Sequence, residues 1–146
     1  MTPLFPARTS EAELASRLRL AVTRLARRLR TQLPGELSPS QLATLASVEC
    51  RGPLTLGELS AVERVKPPTM TKIVGCLEEQ GLVSRTVDPS DRRVARVEAT
   101  AAGLAFLEDS RQSKDAYLAT RIRTLSPEDR LSLERAAEVL ERILDE

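Results

Sequence analysis

The side chains with the most evident chemistry are cations and hydroxyls that fall in two short stretches in the middle of the chain. The members of the first stretch are Lys66, Pro68, Thr69, Thr71 and Lys72. The second stretch contributes Arg85, Asp91, Arg92 and Arg93. Ammonium and guanidinium groups pair with phosphate, and threonine contacts phosphate or base edges through its hydroxyl and methyl groups. These residue types therefore suit contact with nucleic acid better than covalent chemistry.

The sequence lacks the residues that usually carry out catalysis or bind metals and cofactors. The 146 residues include no histidine, which removes the commonest general base at neutral pH and every Ser-His or Cys-His nucleophile pair. The two cysteines, Cys50 and Cys76, are too few for a disulfide framework, and a zinc site would lack its usual histidine ligands. We expect no catalytic residue, no metal and no cofactor.

Length, composition and hydropathy predict a small α-rich protein in the cytoplasm. A chain of 146 residues has room for one domain, or for one domain extended by helices shared with a partner. With aromatic residues at 2% and no tryptophan, the core must consist of aliphatic side chains, which favours helix packing. No stretch approaches the roughly 18 to 20 apolar residues of a membrane span, and Met1 to Arg8 does not read as a signal peptide. We expect no contact with a membrane.

Apolar periodicity predicts two helices before the first cation-bearing stretch. Leucine and valine recur at helical spacing from Ser10 to Leu33, and Pro34-Gly35 ends that helix because proline cannot continue the hydrogen-bond ladder. The sequence Ser38-Pro39-Ser40-Gln41 is a capping box that starts a second helix, which runs to about Glu49.

The next two predicted helices together form a candidate helix-turn-helix. A short helix lies within Leu54 to Val62, with Thr55 as its cap, and Pro67-Pro68 opens another that stops at Gly81. The second of the two carries its apolar residues inward and would enter the major groove with its opposite face. The inward residues are Met70, Ile73, Val74 and Leu77, and the outward ones are Pro68, Thr69, Thr71, Lys72 and Gly75.

The periodicity changes to that of strands after Gly81. Leu82 to Asp88 and Val94 to Ala99 predict a β-hairpin around the turn residues Pro89-Ser90-Asp91. A hairpin directly after a helix-turn-helix is a wing. Arg85 at the base of this hairpin is placed to contact phosphate.

Further helices flank this predicted DNA-binding domain. Thr100 caps a long helix, and Ser126-Pro127 starts a last one. The first helix and the last two have apolar stripes that a small winged domain cannot cover, so a partner chain is expected to cover them. We expect a mainly α fold with a small β-hairpin wing. Residues 37–100 would form the winged helix-turn-helix, and residues 9–36 and 101–146 the dimerisation helices of a two-fold homodimer.

Residues Val65 to Arg85, with Asp88 to Arg93 and Thr100 to Gly103, resemble the MarR family of bacterial transcriptional regulators. The shared pattern is Leu-Glu-x-x-Gly-Leu-Val-x-Arg at the end of the recognition helix, Asp-x-Arg in the wing and Thr-x-x-Gly at the start of the next helix. The resemblance extends over nearly the whole chain. Two positions depart from it. Lys66 replaces a usual serine and exchanges a helix cap for a cation that can pair with phosphate, and Ala99 replaces a usual leucine.

The resemblance implies a homodimer that binds a palindromic operator on double-stranded DNA, with repression as the expected outcome. In the family a wing-tip arginine lies in the minor groove, which corresponds to Arg92 or Arg93, with Asp91 holding one of the two. A small, often aromatic or anionic ligand would bind between the dimerisation helices and the DNA-binding part. Such a ligand releases DNA by changing the separation of the recognition helices, which must match about 34 Å.

Two other functions remain open from the sequence. A redox-sensing regulator would be switched through Cys76 or Cys50, provided that the thiol is exposed and has a lowered pKa. A winged-helix module for protein contacts would bind no DNA, and its binding would lack a steep dependence on salt. The net charge of +1 does not separate these possibilities.

Overall fold

A computed structural model of the chain describes residues 9–32 and 37–145, and it divides into two compact units, residues 1–34 and 35–146. In the first unit, helix α1 (Glu11–Arg30) begins at a capping box between Ser10 and Glu13. It ends before the predicted Leu33, because the Thr31 amide and hydroxyl both bond back to the Arg28 carbonyl, at 3.2 and 2.8 Å. Leu33 and the predicted stop at Pro34-Gly35 lie outside the described residues.

The second unit contains five described helices. They are α2 (Pro39–Arg51), α3 (Leu56–Glu63), α4 (Pro67–Glu79), α5 (Ala101–Arg123) and α6 (Pro127–Leu144). Four of them start at the predicted cap, whose hydroxyl accepts a backbone amide of the first turn and so satisfies one of the free N–H groups there. These caps are Ser38, Thr55, Thr100 and Ser126. Lys66, before α4, makes no such bond.

Within the described residues, three short strands form an antiparallel sheet beside these helices. The predicted hairpin is present as β2 (Val83–Val87) and β3 (Ala95–Ala99), with Val83 opposite Ala99. A further strand, β1 (Leu54–Thr55), pairs with the free side of β3, so that the strand order is β1-β3-β2. The sequence did not reveal β1, because two residues are too few to show a strand periodicity. This strand fixes the start of α3 against the wing.

A single apolar core holds α2, α3, α4 and the sheet together. All four residues predicted to point inward from α4 are buried. They pack in one cluster with side chains of the other elements, among them Leu45 and Val48 from α2, Leu59 from α3, Val97 from β3 and Leu107 from α5. The turn between α3 and α4 is tight, since Arg64 adopts the left-handed conformation with φ of 54°. The outward face of α4 is thereby fixed by the burial of its opposite side.

The apolar residues of α1 and α6 are left largely in solvent. Neither helix has a buried residue. The exposed apolar side chains include Leu14, Leu18, Val22 and Leu25 on α1, and Leu133, Val139, Ile143 and Leu144 on α6. None of the helices within residues 9–32 and 37–145 combines the length and apolarity needed to cross a bilayer.

Candidate nucleic-acid interface

The outward face of α4 presents the predicted contact residues together. Pro68, Thr69, Thr71 and Lys72 are all exposed in the first two turns of the helix. The Thr71 hydroxyl donates to the Pro67 carbonyl at 3.0 Å, which leaves its oxygen lone pairs and its methyl group available to a partner. Lys66 is exposed just before the helix. Cationic and hydroxyl groups thus share the start of α4.

The end of α4 is acidic instead. Glu78 and Glu79 are exposed in its last turn. Glu78 pairs with Arg85 of β2, with Glu78 Oε2 and Arg85 Nε 3.0 Å apart. Arg85 lies at the base of the hairpin, as the sequence predicted, but the Glu78 carboxylate partly neutralises its charge. Because carboxylates repel phosphate, the charge distribution favours an approach of DNA to the beginning of α4 rather than to its end.

The wing loop between β2 and β3 is shaped by two aspartates. The Asp88 carboxylate accepts the Ser90 amide at 2.8 Å and the Ser90 hydroxyl at 2.6 Å, and these bonds hold the pKa of Asp88 below its ordinary value. The ionised Asp88 carboxylate therefore stabilises the folded chain at pH values above its ordinary pKa of 3.8. This stabilisation is lost as the pH falls through the lowered pKa. At neutral pH the Asp88 carboxylate is therefore ionised and contributes its full stabilisation to the wing loop.

Asp91 contacts Arg93 rather than Arg92, a choice that the sequence left open. Its Oδ1 accepts the Arg93 backbone amide at 3.1 Å and lies 3.4 Å from Arg93 Nε. The Arg93 side chain is otherwise 93% exposed. Arg92 is also exposed, and it forms no ion pair with the described residues. Of the two neighbouring arginines, Arg93 is therefore the one whose backbone amide and Nε contact Asp91.

Arg96 of β3 is a wing residue that the sequence analysis missed. Its guanidinium nitrogens lie 3.9 Å from Asp88 Oδ2 and 4.0 Å from Glu58 Oε2, so it joins the wing loop to the start of α3. The register explains the contact, because Arg96 pairs with Thr55 of β1, the cap residue of α3. Only recognition of β1 in the sequence would have indicated this link.

Helix α5 makes polar contacts with the winged domain at two points. At its start, the Thr100 hydroxyl donates to the Gly81 carbonyl at 2.5 Å, and the Thr100 amide donates to the Leu82 carbonyl at 3.0 Å. Further along, both terminal guanidinium nitrogens of Arg111 donate to the Glu49 carboxylate of α2, which lowers the pKa of Glu49. A displacement of α5 would therefore act directly on α2 and on the loop after α4.

The two cysteines lie in different surroundings. Cys50 on α2 is exposed, whereas Cys76 on α4 is partly buried, and neither forms a disulfide. Among the described residues, no three histidine, cysteine, aspartate or glutamate side chains come together as metal ligands.

Helices α2 to α4, followed by a hairpin and supported by β1, define a winged helix-turn-helix of the DNA-binding class. The family model described as the MarR family matches residues 37–95. An uncharacterised HTH-type transcriptional regulator of Mycobacterium leprae is 38% identical over 138 residues, which are 94% of this chain and 96% of the relative. This chain belongs to the MarR family of transcriptional regulators.

Solved structures agree with this membership. A transcriptional regulator protein of Pseudomonas aeruginosa, described as putative, is 30% identical and has a TM-score of 0.81 over 95% of this chain and 98% of that one. A MarR family protein of Bacillus stearothermophilus is 29% identical and has a TM-score of 0.74, with coverages of 92% and 95%. The fold and the family predicted from the sequence are both confirmed, and the protein is a DNA-binding regulator, not an enzyme.

Proposed function

We propose that two copies of this chain bind a palindromic operator, each placing the start of α4 in a major groove and its wing in the adjacent minor groove. The observation that carries the proposal is the division of α4 into a buried face and an exposed one. The exposed face bears Thr69, Thr71 and Lys72 in the first two turns, beside Lys66. Lysines neutralise phosphates, while threonines at the helix start reach base edges.

The wing adds a second point of contact. Arg93 is held by Asp91, so it loses less conformational freedom on binding than an unrestrained arginine would. Narrow minor grooves concentrate negative potential and attract an inserted arginine. We assign the minor groove to Arg93, and we assign phosphate contacts to Arg92 and to the outer nitrogens of Arg85.

Selection of bound fragments from a random DNA pool tests this function. We expect enrichment of a palindrome whose half-sites are about one helical turn apart. Joint replacement of Thr71, Lys72 and Arg92 by alanine is expected to abolish enrichment, because it removes groups from both contact regions. Affinity of the unmodified protein should fall steeply with salt, roughly as the number of phosphates contacted. An absence of enrichment, or binding that ignores salt, would leave the protein-contact module as the function.

The dimer proposal depends on the apolar side of α6. Leu133 is 46% exposed, and Leu140, which is partly buried, follows at a spacing of seven residues on the same side of the helix. Each leucine side chain stabilises an interface by about 2 kcal/mol when fully buried. We therefore expect the double variant Leu133→Glu, Leu140→Glu to be monomeric by light scattering at micromolar concentration, where the unmodified protein is a dimer.

A matched control separates this effect from a general effect of added charge. Arg135 and Arg142 are exposed on the opposite side of α6 at the same spacing of seven. The double variant Arg135→Glu, Arg142→Glu should remain dimeric. A monomeric unmodified protein, or equal dissociation of both variants, would contradict an interface on the leucine side.

The proposed outcome of binding is repression in the cytoplasm, relieved by a small aromatic or anionic ligand. Repression agrees with the name of a relative, the HTH-type transcriptional repressor MdtR of Bacillus subtilis, which is 32% identical over 65% of this chain and 61% of that protein. A ligand need only favour a separation of the recognition helices other than about 34 Å. If peroxide instead releases DNA, and replacement of the exposed Cys50 by serine prevents it, the switch is a thiol.

A further inference from the structure

Gly75 occupies the middle of the outward face of α4. Measured from it, Lys72 lies one turn earlier and Glu79 one turn later on the same side of the helix. This row lies opposite the buried side chains of Met70, Val74 and Leu77. In an ideal helix with 100° per residue, Gly75 is therefore among the residues farthest from the core, and in the structure it is partly exposed between the longer, exposed side chains of Lys72 and Glu79.

The folded chain gives no reason for a glycine here. The backbone of Gly75 is helical, whereas the described glycines with positive φ are Gly52 and Gly81. Beyond its chain neighbours and the backbone of its own helix, a Cβ atom built at Gly75 would meet no atom of the described residues within 4 Å. A glycine inside a helix also makes that helix less stable than alanine would. Neither backbone conformation nor packing within the described residues thus accounts for the missing side chain.

The dimensions of DNA supply a reason. The major groove is about 12 Å wide, and an α-helix with its side chains is about 10 to 12 Å across, so a recognition helix fits with little space to spare. A missing side chain on this outward row lets the helix backbone approach the groove floor more closely. We infer that Gly75 is the point at which α4 comes nearest to the base edges of the operator, and that its lack of a side chain sets the depth of insertion.

This inference rests on the proposed DNA-binding function of α4. It also explains how Lys72 and the threonines could reach the bases, because their reach depends on how deeply the helix enters the groove. A side chain at position 75 would act as a spacer and would weaken all these contacts at once. The loss of affinity should therefore grow with the size of the substituted side chain.

The test compares Gly75→Ala and Gly75→Gln with the unmodified protein, using the operator selected from the random pool. Both substitutions introduce strong helix formers, so the midpoint of thermal unfolding should rise by a few degrees. We expect affinity to fall about tenfold for alanine and about a hundredfold for glutamine, as overpacking by one and by several heavy atoms would cause. If Gly75 had only a structural role, its replacement would not raise stability and lower DNA affinity at the same time.

Gly57 offers a matched control. It is an exposed helical glycine at the start of α3, next to the Glu58 carboxylate, and a Cβ there would have Thr55 Oγ1 at 3.9 Å as its nearest neighbour. Gly57→Ala should not lower thermal stability and should change the affinity by less than about twofold. If Gly75→Ala keeps full affinity, or loses stability along with affinity, the inference is wrong. If the unmodified protein selects no DNA, the proposed function itself has failed, which is a separate result.

Discussion

Replacing Gly103 with alanine is expected to lower the free energy of unfolding by about 3 kcal/mol, since overpacking of a filled core against backbone is costly. A Cβ atom at this position would lie 2.1 Å from the Leu82 carbonyl oxygen and 3.2 Å from Leu45 Cδ1. The carbonyl cannot move freely, because it accepts the Thr100 amide at the start of α5. The strain would therefore displace α5 from the winged domain.

Urea unfolding followed by circular dichroism measures this effect. The midpoint should fall by roughly 1 to 3 M for a loss of this size, given the usual slopes for small proteins. Gly75→Ala serves as the control, since the same methyl group added on the outward face of α4 meets no described atom within 4 Å beyond its chain neighbours and its own helix backbone. The two alanine variants should shift stability in opposite directions. Equal stability of the Gly103 variant and the unmodified protein would contradict the close packing of α5 on the loop after α4.

The second large effect concerns the wing. Arg93→Ala is expected to weaken operator binding by about 30-fold or more, because an arginine lost from each subunit costs about 5- to 150-fold per site. Arg92→Ala should weaken binding only a few-fold and should reduce the salt dependence, which is the behaviour of a phosphate contact. The difference follows from Asp91, which holds Arg93 and not Arg92.

Asp91→Ala provides the matched variant for this prediction. It keeps the charge of Arg93 but removes the acceptor of its amide and its Nε. Because this change also removes a negative charge that repels phosphate, binding at low salt should stay close to that of the unmodified protein and stronger than that of Arg93→Ala. At high salt, where the repulsion is screened, the lost contact should make binding weaker than that of the unmodified protein. Fluorescence anisotropy on the selected operator, at several salt concentrations, gives affinity and salt slope together. If Arg92→Ala proves the more damaging of the two arginine variants, Arg92 is the residue that enters the minor groove.

Much of the winged domain was predictable, because its signals are local. Hydroxyl caps such as Ser38 and Thr55 act on amides three residues away, and Pro67 can only begin a helix. The spacing of Met70, Ile73, Val74 and Leu77 alone indicated which face of α4 is buried. By the same logic, the outward positions of Thr71 and Lys72 followed from the residues that must point inward.

The sequence by itself determined the helices, the hairpin and the face of α4 that is free to meet DNA, since each depends on residues within a few positions of one another. The tertiary structure decided the partners of the charged groups. It pairs Glu78 with Arg85 and joins Glu49 to Arg111, which lie 62 positions apart. Such pairs depend on sheet register and helix packing, and no local pattern encodes them. For the same reason, only the structure showed that the described residues leave the space beside Gly75 open and fill the space beside Gly103.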